Sequence, residues 1–124
     1  MSTVLAYNLT PERAGRIRTL CAIHKLRLVT VPQERFGEAV GSVAGILPAA
    51  EASPPEAPFT EEMLVLCQLS EQTLQAFLHG FRKAGIPPVA LKAVLTPTNA
   101  AWDAQSLCAE LRKEHAAMTG RQPQ

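Results

Sequence analysis

The chain is poor in the residues that usually announce a chemistry. Its three cysteines, Cys21, Cys67 and Cys108, stand far apart and form no Cys-x-x-Cys. An odd count at wide spacing argues against a disulfide framework and points to a reducing compartment. Aromatic residues make up 5% of the sequence and the formal net charge is +1. That leaves few platforms for stacking bases and no electrostatic footprint for nucleic acid or an anionic membrane. No apolar run is long enough to span a bilayer. The opening MSTVLAYNLTPER lacks a basic segment followed by an apolar one, so no secretion signal is expected. Gly-x-Gly-x-x-Gly, a phosphate loop and a Gly-x-Ser-x-Gly elbow are all missing. His24, His79 and His115 lie far apart in sequence with no ligand partner four residues on, so no metal and no cofactor is expected.

What remains is a soluble-looking composition, 47% apolar and 19% charged over 124 residues, which fits one domain with a core of its own. Four short apolar runs rich in strand formers alternate with helical periodicities. TVLAYNL (3–9) reads as the first strand. Thr10 then offers a hydroxyl cap, Pro11 suits the first helical position, and Ala14, Ile17, Leu20, Cys21 and His24 fall on one helical face. LRLVTV (26–31) is a second strand closed by Pro32, and FGEAVGSVAGIL (36–47) a short, glycine-weakened helix. MLVLCQL (63–69) is apolar throughout, as a strand covered on both faces must be. Ser70 caps a helix with Leu74, Phe77, Leu78 and Phe81 on its stripe and Gly85 at its end. VALKAVL (89–95) is the fourth strand, Pro97 breaks it, and Thr98 or Asn99 is expected to cap a last helix carrying Ala104, Leu107, Cys108, Leu111, His115 and Met118 inward. The tail TGRQPQ should fray.

The order strand-helix-strand-helix thus occurs twice, in halves 1–47 and 63–118 of a single domain 1–124. They are joined by a Pro- and Glu-rich loop, 48–62, expected to be irregular and mobile. At a shift of 60 residues Leu9-Thr10 meets Leu69-Ser70, Ile17 meets Phe77 and Val29 meets Val89, the pattern of an internal duplication. Alternating elements favour an α/β fold with a four-stranded, mainly parallel sheet in the order 2-1-3-4 and helices on both faces. The rival is a ferredoxin-like α+β sheet in the order 4-1-3-2. In the parallel arrangement a ligand sits outside the strand C-termini at the switch point. There Asn8, Thr10, Gln68, Ser70, Thr96, Thr98 and Asn99 would offer neutral hydrogen-bonding groups beside helix N-termini, suited to a small anionic or polar metabolite. The competing reading is that all seven are caps and turn residues. Arg13, Arg16 and Lys92 are candidates for a basic patch, with solvated charge as the default reading, and Trp102 is read as a core anchor able to wall the cleft. No catalytic set emerges. The functional expectation is a non-catalytic module for a small polar or anionic ligand, with a protein-interaction module or homodimer as the alternative.

The run MLVLCQLSEQTLQAFLHGFRKAGIPPVALKAVLTPTNAAW resembles the bacterial domain-of-unknown-function family 3783. Members show a strand of the MLVFCG type, an amphipathic helix ending in RKAGI, then LKAVLTPTN and a tryptophan. The resemblance covers about residues 61–118, and VLAYNL is similar to the usual N-terminal part of such proteins. Gln68 departs from the pattern, standing where the family has glycine. The resemblance implies a small cytoplasmic protein of mainly anaerobic Gram-positive bacteria, and it brings no assigned activity with it.

Overall fold

The structure, a computed structural model, describes residues 2–120, with side chains through His115. The strands are β1 (Thr3–Tyr7), β2 (Arg27–Val31), β3 (Met63–Cys67) and β4 (Leu91–Val94). The helices are α1 (Pro11–Ile23), α2 (Val40–Val43), α3 (Glu71–Ala84) and α4 (Ala104–Gly120). Short 3-10 turns at Gln33–Arg35 and Asn99–Ala101 complete the set. The sheet order is β2-β1-β3-β4. The outer pairs β1–β2 and β3–β4 are parallel, but the central pair β1–β3 is antiparallel. The sheet is therefore mixed, and the ferredoxin-like order does not occur.

The antiparallel junction relates the two halves by a pseudo-two-fold axis. Leu5 lies opposite Val65, its counterpart at a shift of 60, while Thr3 faces Cys67 and Tyr7 faces Met63. The same shift relates the turns. Asn8 (φ 64) and Gln68 (φ 63) both enter the left-handed region directly after a strand, and so do Lys25 (φ 59) and Gly85 (φ 69) after a helix. Thr10 and Ser70 each accept a bond from the backbone N–H three residues on. Leu26 N–H donates to Cys21 O and Ile86 N–H to Phe81 O, each at 2.8 Å. This six-residue closure is how a helix ends when its next residue turns left-handed. Beyond that point the correspondence slips. Leu5 pairs with Val29 and Val65 with Ala93, so Val29 corresponds to Ala93, not Val89. The second half carries extra residues at IPPV, and β4 starts at Leu91.

These turns also set the strand lengths. β1 and β3 stop at Tyr7 and Cys67 because Asn8 and Gln68 rotate out of the ladder. Asn tolerates that conformation; Gln adopts it at a cost of about 1–2 kcal/mol. This is the physical reason for a glycine at such a position. Gln68→Gly should raise stability by about 0.5–1 kcal/mol in urea unfolding, the strain relieved less the greater flexibility of the unfolded chain.

The last helix starts later than expected. Asp103, not Thr98 or Asn99, caps it: Ser106 N–H donates to Asp103 Oδ1 at 2.7 Å. Met118 has its side chain outside the described portion, as do residues 121–124 of the expected fraying tail; Thr119 and Gly120 are still helical. The helix expected over 36–47 contracts to Val40–Val43, ended by Gly45 at φ 80.

Each face of the sheet has its own core. Val4, Ala6, Leu64 and Leu66 meet Ile17, Leu20 and Cys21 of α1 and Phe77 and Phe81 of α3. Leu5, Tyr7, Val65 and Cys67 meet Val40 of α2, Ala104, Leu107 and Cys108 of α4, and the loop residues Phe36 and Phe59. The α1–α3 packing is close because Gly80 sits at it: a Cβ there would come within 2.7 Å of Leu20 Cδ1. The 48–62 segment is irregular, as its composition demands, yet its end is fastened. Phe59 is buried and stacks on Phe36 at 4.8 Å. Gln105 bonds both Phe59 N–H and Ala57 O.

Candidate functional site

Because β1 and β3 run in opposite directions, the C-termini of β1 and β2 open at one end of the sheet and those of β3 and β4 at the other. The seven residues expected to converge on one cleft are thereby divided. Asn8 and Thr10 lie at the first end; Gln68, Ser70, Thr96, Thr98 and Asn99 lie at the second. A shared switch point requires all strands to end on the same side.

At the first end, Asn8 donates through Nδ2 to Phe59 O (2.9 Å) and Glu61 O (3.0 Å), tying the linker to the end of β1. The Thr10 hydroxyl accepts from Arg13 N–H. Glu62 holds Arg13 through both carboxylate oxygens, at 2.6 and 2.8 Å. Glu61 does the same for Arg112, whose second bond is 2.7 Å. A cleft of about 530 Å³ opens here beside Glu61, Glu62, Pro88, Leu91, Arg112 and His115. Its carboxylates already have cationic partners, so the cleft presents closed ion pairs.

The Arg112 guanidinium bonded to Glu61 lowers that carboxyl from 4.5 to about 2. A depressed carboxyl contributes stability that is complete above the unfolded value and disappears as pH falls toward the folded one. Stability measured by urea unfolding should therefore fall as pH drops from about 5 to about 2. Arg112→Gln should flatten that part of the profile while changing stability little at neutral pH, since the pair is largely solvated.

At the second end a groove of about 320 Å³ runs between β4 and α4. Its floor is the Leu-Thr-Pro-Thr-Asn turn. Thr96 N–H donates to Asn99 Oδ1 (2.8 Å) and Asn99 N–H donates to Thr96 Oγ1 (3.1 Å), while Asn99 Nδ2 reaches Val94 O. Thr96 thus caps its own turn. Ser70 is engaged with Thr73 through both backbone and hydroxyl. Of this set, Thr98 lines the groove without a side-chain bond to its own turn. Trp102 walls the groove, and Glu110 and Glu114 stand one helical turn apart on the other side. Carboxylates there disfavour an anion.

Arg13, Arg16 and Lys92 do not form a patch. Arg13 is on Glu62, Arg16 reaches the terminal carbonyls of α3 at Ala84 and Gly85, and Lys92 Nζ donates to Val89 O at 2.6 Å. Burial lowers the Lys92 ammonium and raises the thiols, Cys21 and Cys67 to about 11, which leaves them unreactive near neutral pH. Among the described residues no group of His, Cys, Asp and Glu is placed to hold a metal, and no helix is long and apolar enough to cross a membrane.

A third cleft lies on the outer surface between α1 and α3. It measures about 420 Å³ and is lined by Leu20, Ile23, Ala76, Gly80 and Ala84, with His24, His79 and Lys83 around it. Sequence patterning missed it, as it missed Glu61, Glu62 and Arg112. Ile23 off the apolar stripe was its one signal, since 69% of that side chain is exposed.

Residues 62–118 match the model of the family described as Domain of unknown function (DUF3783). No curated protein and no solved structure matches the chain.

Proposed function

We propose, from a fold in which that family domain is the second of two like units, that the protein is a non-catalytic docking module. Its α1–α3 surface receives an acidic segment of a partner protein bearing an apolar anchor. The α1–α3 cleft carries this reading: an apolar floor, a basic rim and no carboxylate in its lining. The surrounding charge favours the same occupant. Apart from Arg13, which Glu62 neutralises, α1 and α3 together carry Arg16, Arg18, Arg82 and Lys83 against Glu12 and Glu71, both in first turns. The segments 32–62 and 96–115, which cover the other face, carry nine carboxylates against three cations. Opposite potentials steer partners and fix their orientation, and an exposed apolar side chain at the centre of a basic field supplies the anchor point. The matching left-handed turns and caps support an origin by internal duplication, and three free, buried thiols fit a reducing compartment such as the bacterial cytoplasm.

The test is fluorescence anisotropy with a labelled peptide of alternating Glu and Leu. Binding should weaken with salt, and Lys83→Glu and Ile23→Ser should each weaken it about tenfold, equivalent to about 1.4 kcal/mol. Binding that is absent, or indifferent to both substitutions, would remove the proposal.

A second reading rests on the β4–α4 groove, where Thr98, Trp102, Glu110 and Glu114 suit a small polar ligand with a cationic group. Thermal-shift titration with amines and amino acids tests it. A dose-dependent rise that Thr98→Ala abolishes supports it, and a flat response discards it.

A further inference from the structure

The pseudo-two-fold axis makes β2 and β4 equivalent edges of one sheet, but they are finished differently. In a parallel ladder alternate residues turn both backbone groups toward the neighbouring strand and the others turn theirs away. Leu95 N–H donates to Leu66 O, so Lys92 and Val94 face outward on β4. There the outward carbonyl of Val94 is occupied by Asn99 Nδ2 at 3.1 Å. β4 is also only four residues long and carries a lysine, two common ways to blunt an edge.

On β2, Arg27 N–H donates to Ser2 O, so Leu28 and Thr30 face outward. Among the described residues, no hydrogen bond reaches their backbone groups from outside the sheet. The residue corresponding to Asn99, at the 64-residue offset that relates β2 to β4, is Arg35. Its guanidinium pairs with Glu38 instead of returning to the strand. One edge is sealed and its counterpart is open.

We propose that the open edge of β2 pairs with the β2 of a second copy, joining two sheets into one of eight strands across a two-fold axis. The segment is self-complementary. An antiparallel pairing centred on Val29 sets Leu28 opposite Thr30 and Arg27 opposite Val31, so no like charges face each other. The residues brought opposite are the ones whose N–H and C=O point outward, which allows four backbone hydrogen bonds. Beyond the ladder the charges also complement. The exit of one strand, with Glu34, lies opposite the entry of the other, with His24 and Lys25. A second copy meets all three conditions at once, and an isologous contact closes without leaving a free edge for further growth. This inference is independent of the α1–α3 docking surface.

Sedimentation velocity of the full chain, from micromolar to near-millimolar concentration, tests it together with amide hydrogen exchange. A concentration-dependent dimer is expected, with the Leu28 and Thr30 amides slowing in exchange as the dimer forms. Thr30→Pro removes an outward donor without touching the β1 ladder, and it should return the chain to a monomer of unchanged circular dichroism. If that variant misfolds, the exchange of Leu28 and Thr30 in the unaltered chain decides. A strict monomer throughout, or a dimer in which those two amides exchange freely, overturns the proposal.

Discussion

Replacing Phe59 by Ala should cost about 3–5 kcal/mol of unfolding free energy, a core-sized loss from a residue in an irregular loop. Phe59 is 3% exposed. Its ring stacks on Phe36 at 4.8 Å and tilts against Tyr7 at 5.9 Å, and Tyr7 meets Phe36 edge-on at 5.3 Å. These three rings close one end of the core between the sheet and α4, where no long helix covers β1. Removing the Phe59 ring leaves a cavity bounded by Tyr7, which β1 holds in place, and by the fully buried Phe36, so little collapse can offset the loss. A mobile linker would behave otherwise: its residues would change stability by under about 0.5 kcal/mol. Urea unfolding of Phe59→Ala separates the two descriptions without ambiguity of sign.

Asn8→Ala should cost about 3 kcal/mol, made of two lost hydrogen bonds of roughly 1 kcal/mol each and about 1 kcal/mol for forcing alanine into a left-handed backbone. Asn8→Gly keeps the backbone and loses only the bonds, so about 2 kcal/mol is expected there. The difference between the two variants measures the strain at this strand end. The clamp acts on the same segment as Phe59, since Asn8 Nδ2 bonds Phe59 O. The double variant Asn8→Ala, Phe59→Ala should therefore cost less than the sum of the singles, because either change alone frees the segment both residues hold.

Most elements were legible in the sequence because each carries several concordant local signals. β3 reads as fully buried from five consecutive apolar residues, and α3 from its stripe, its serine cap and its terminal glycine. The central places of β1 and β3 followed from burial, since only central strands can be apolar on both faces, and the missing polar face of MLVLCQL, which calls for helices on both sides, favoured the order 2-1-3-4 over 4-1-3-2. Strand direction was not legible in that way: MLVLC has the same pattern read from either end. Yet the repeat at 60 residues contained the answer. Two like units that bury the same edge against each other are related by a two-fold axis, and that makes their inner strands antiparallel. The parallel reading overlooked this consequence, and with it the separation of Asn8 and Thr10 from the other five candidates. The cap of α4 was missed for a different reason. Thr98, Asn99 and Asp103 can all accept from a backbone N–H, and only the 3-10 turn between them selects Asp103. Glu61–Arg112 and Glu62–Arg13 were invisible, because nothing local links residues about 50 apart.

The Tyr7 hydroxyl is buried without a hydrogen-bond partner among the described residues, and burial pushes its phenol upward. No role follows from this, since its surroundings are the aromatic core.

The antiparallel junction underlies the divided candidate residues, the placement of α1 and α3 on one face and the equivalence of the two edges. It is tested most directly by cross-strand Hα–Hα contacts in the NMR spectrum of the labelled protein. The structure predicts contacts drawn from the series Thr3–Cys67, Val4–Leu66, Leu5–Val65, Ala6–Leu64 and Tyr7–Met63. Contacts of the parallel kind, linking Thr3 to the start of β3 and Tyr7 to its end, would contradict it and return the seven strand-end residues to a single cleft.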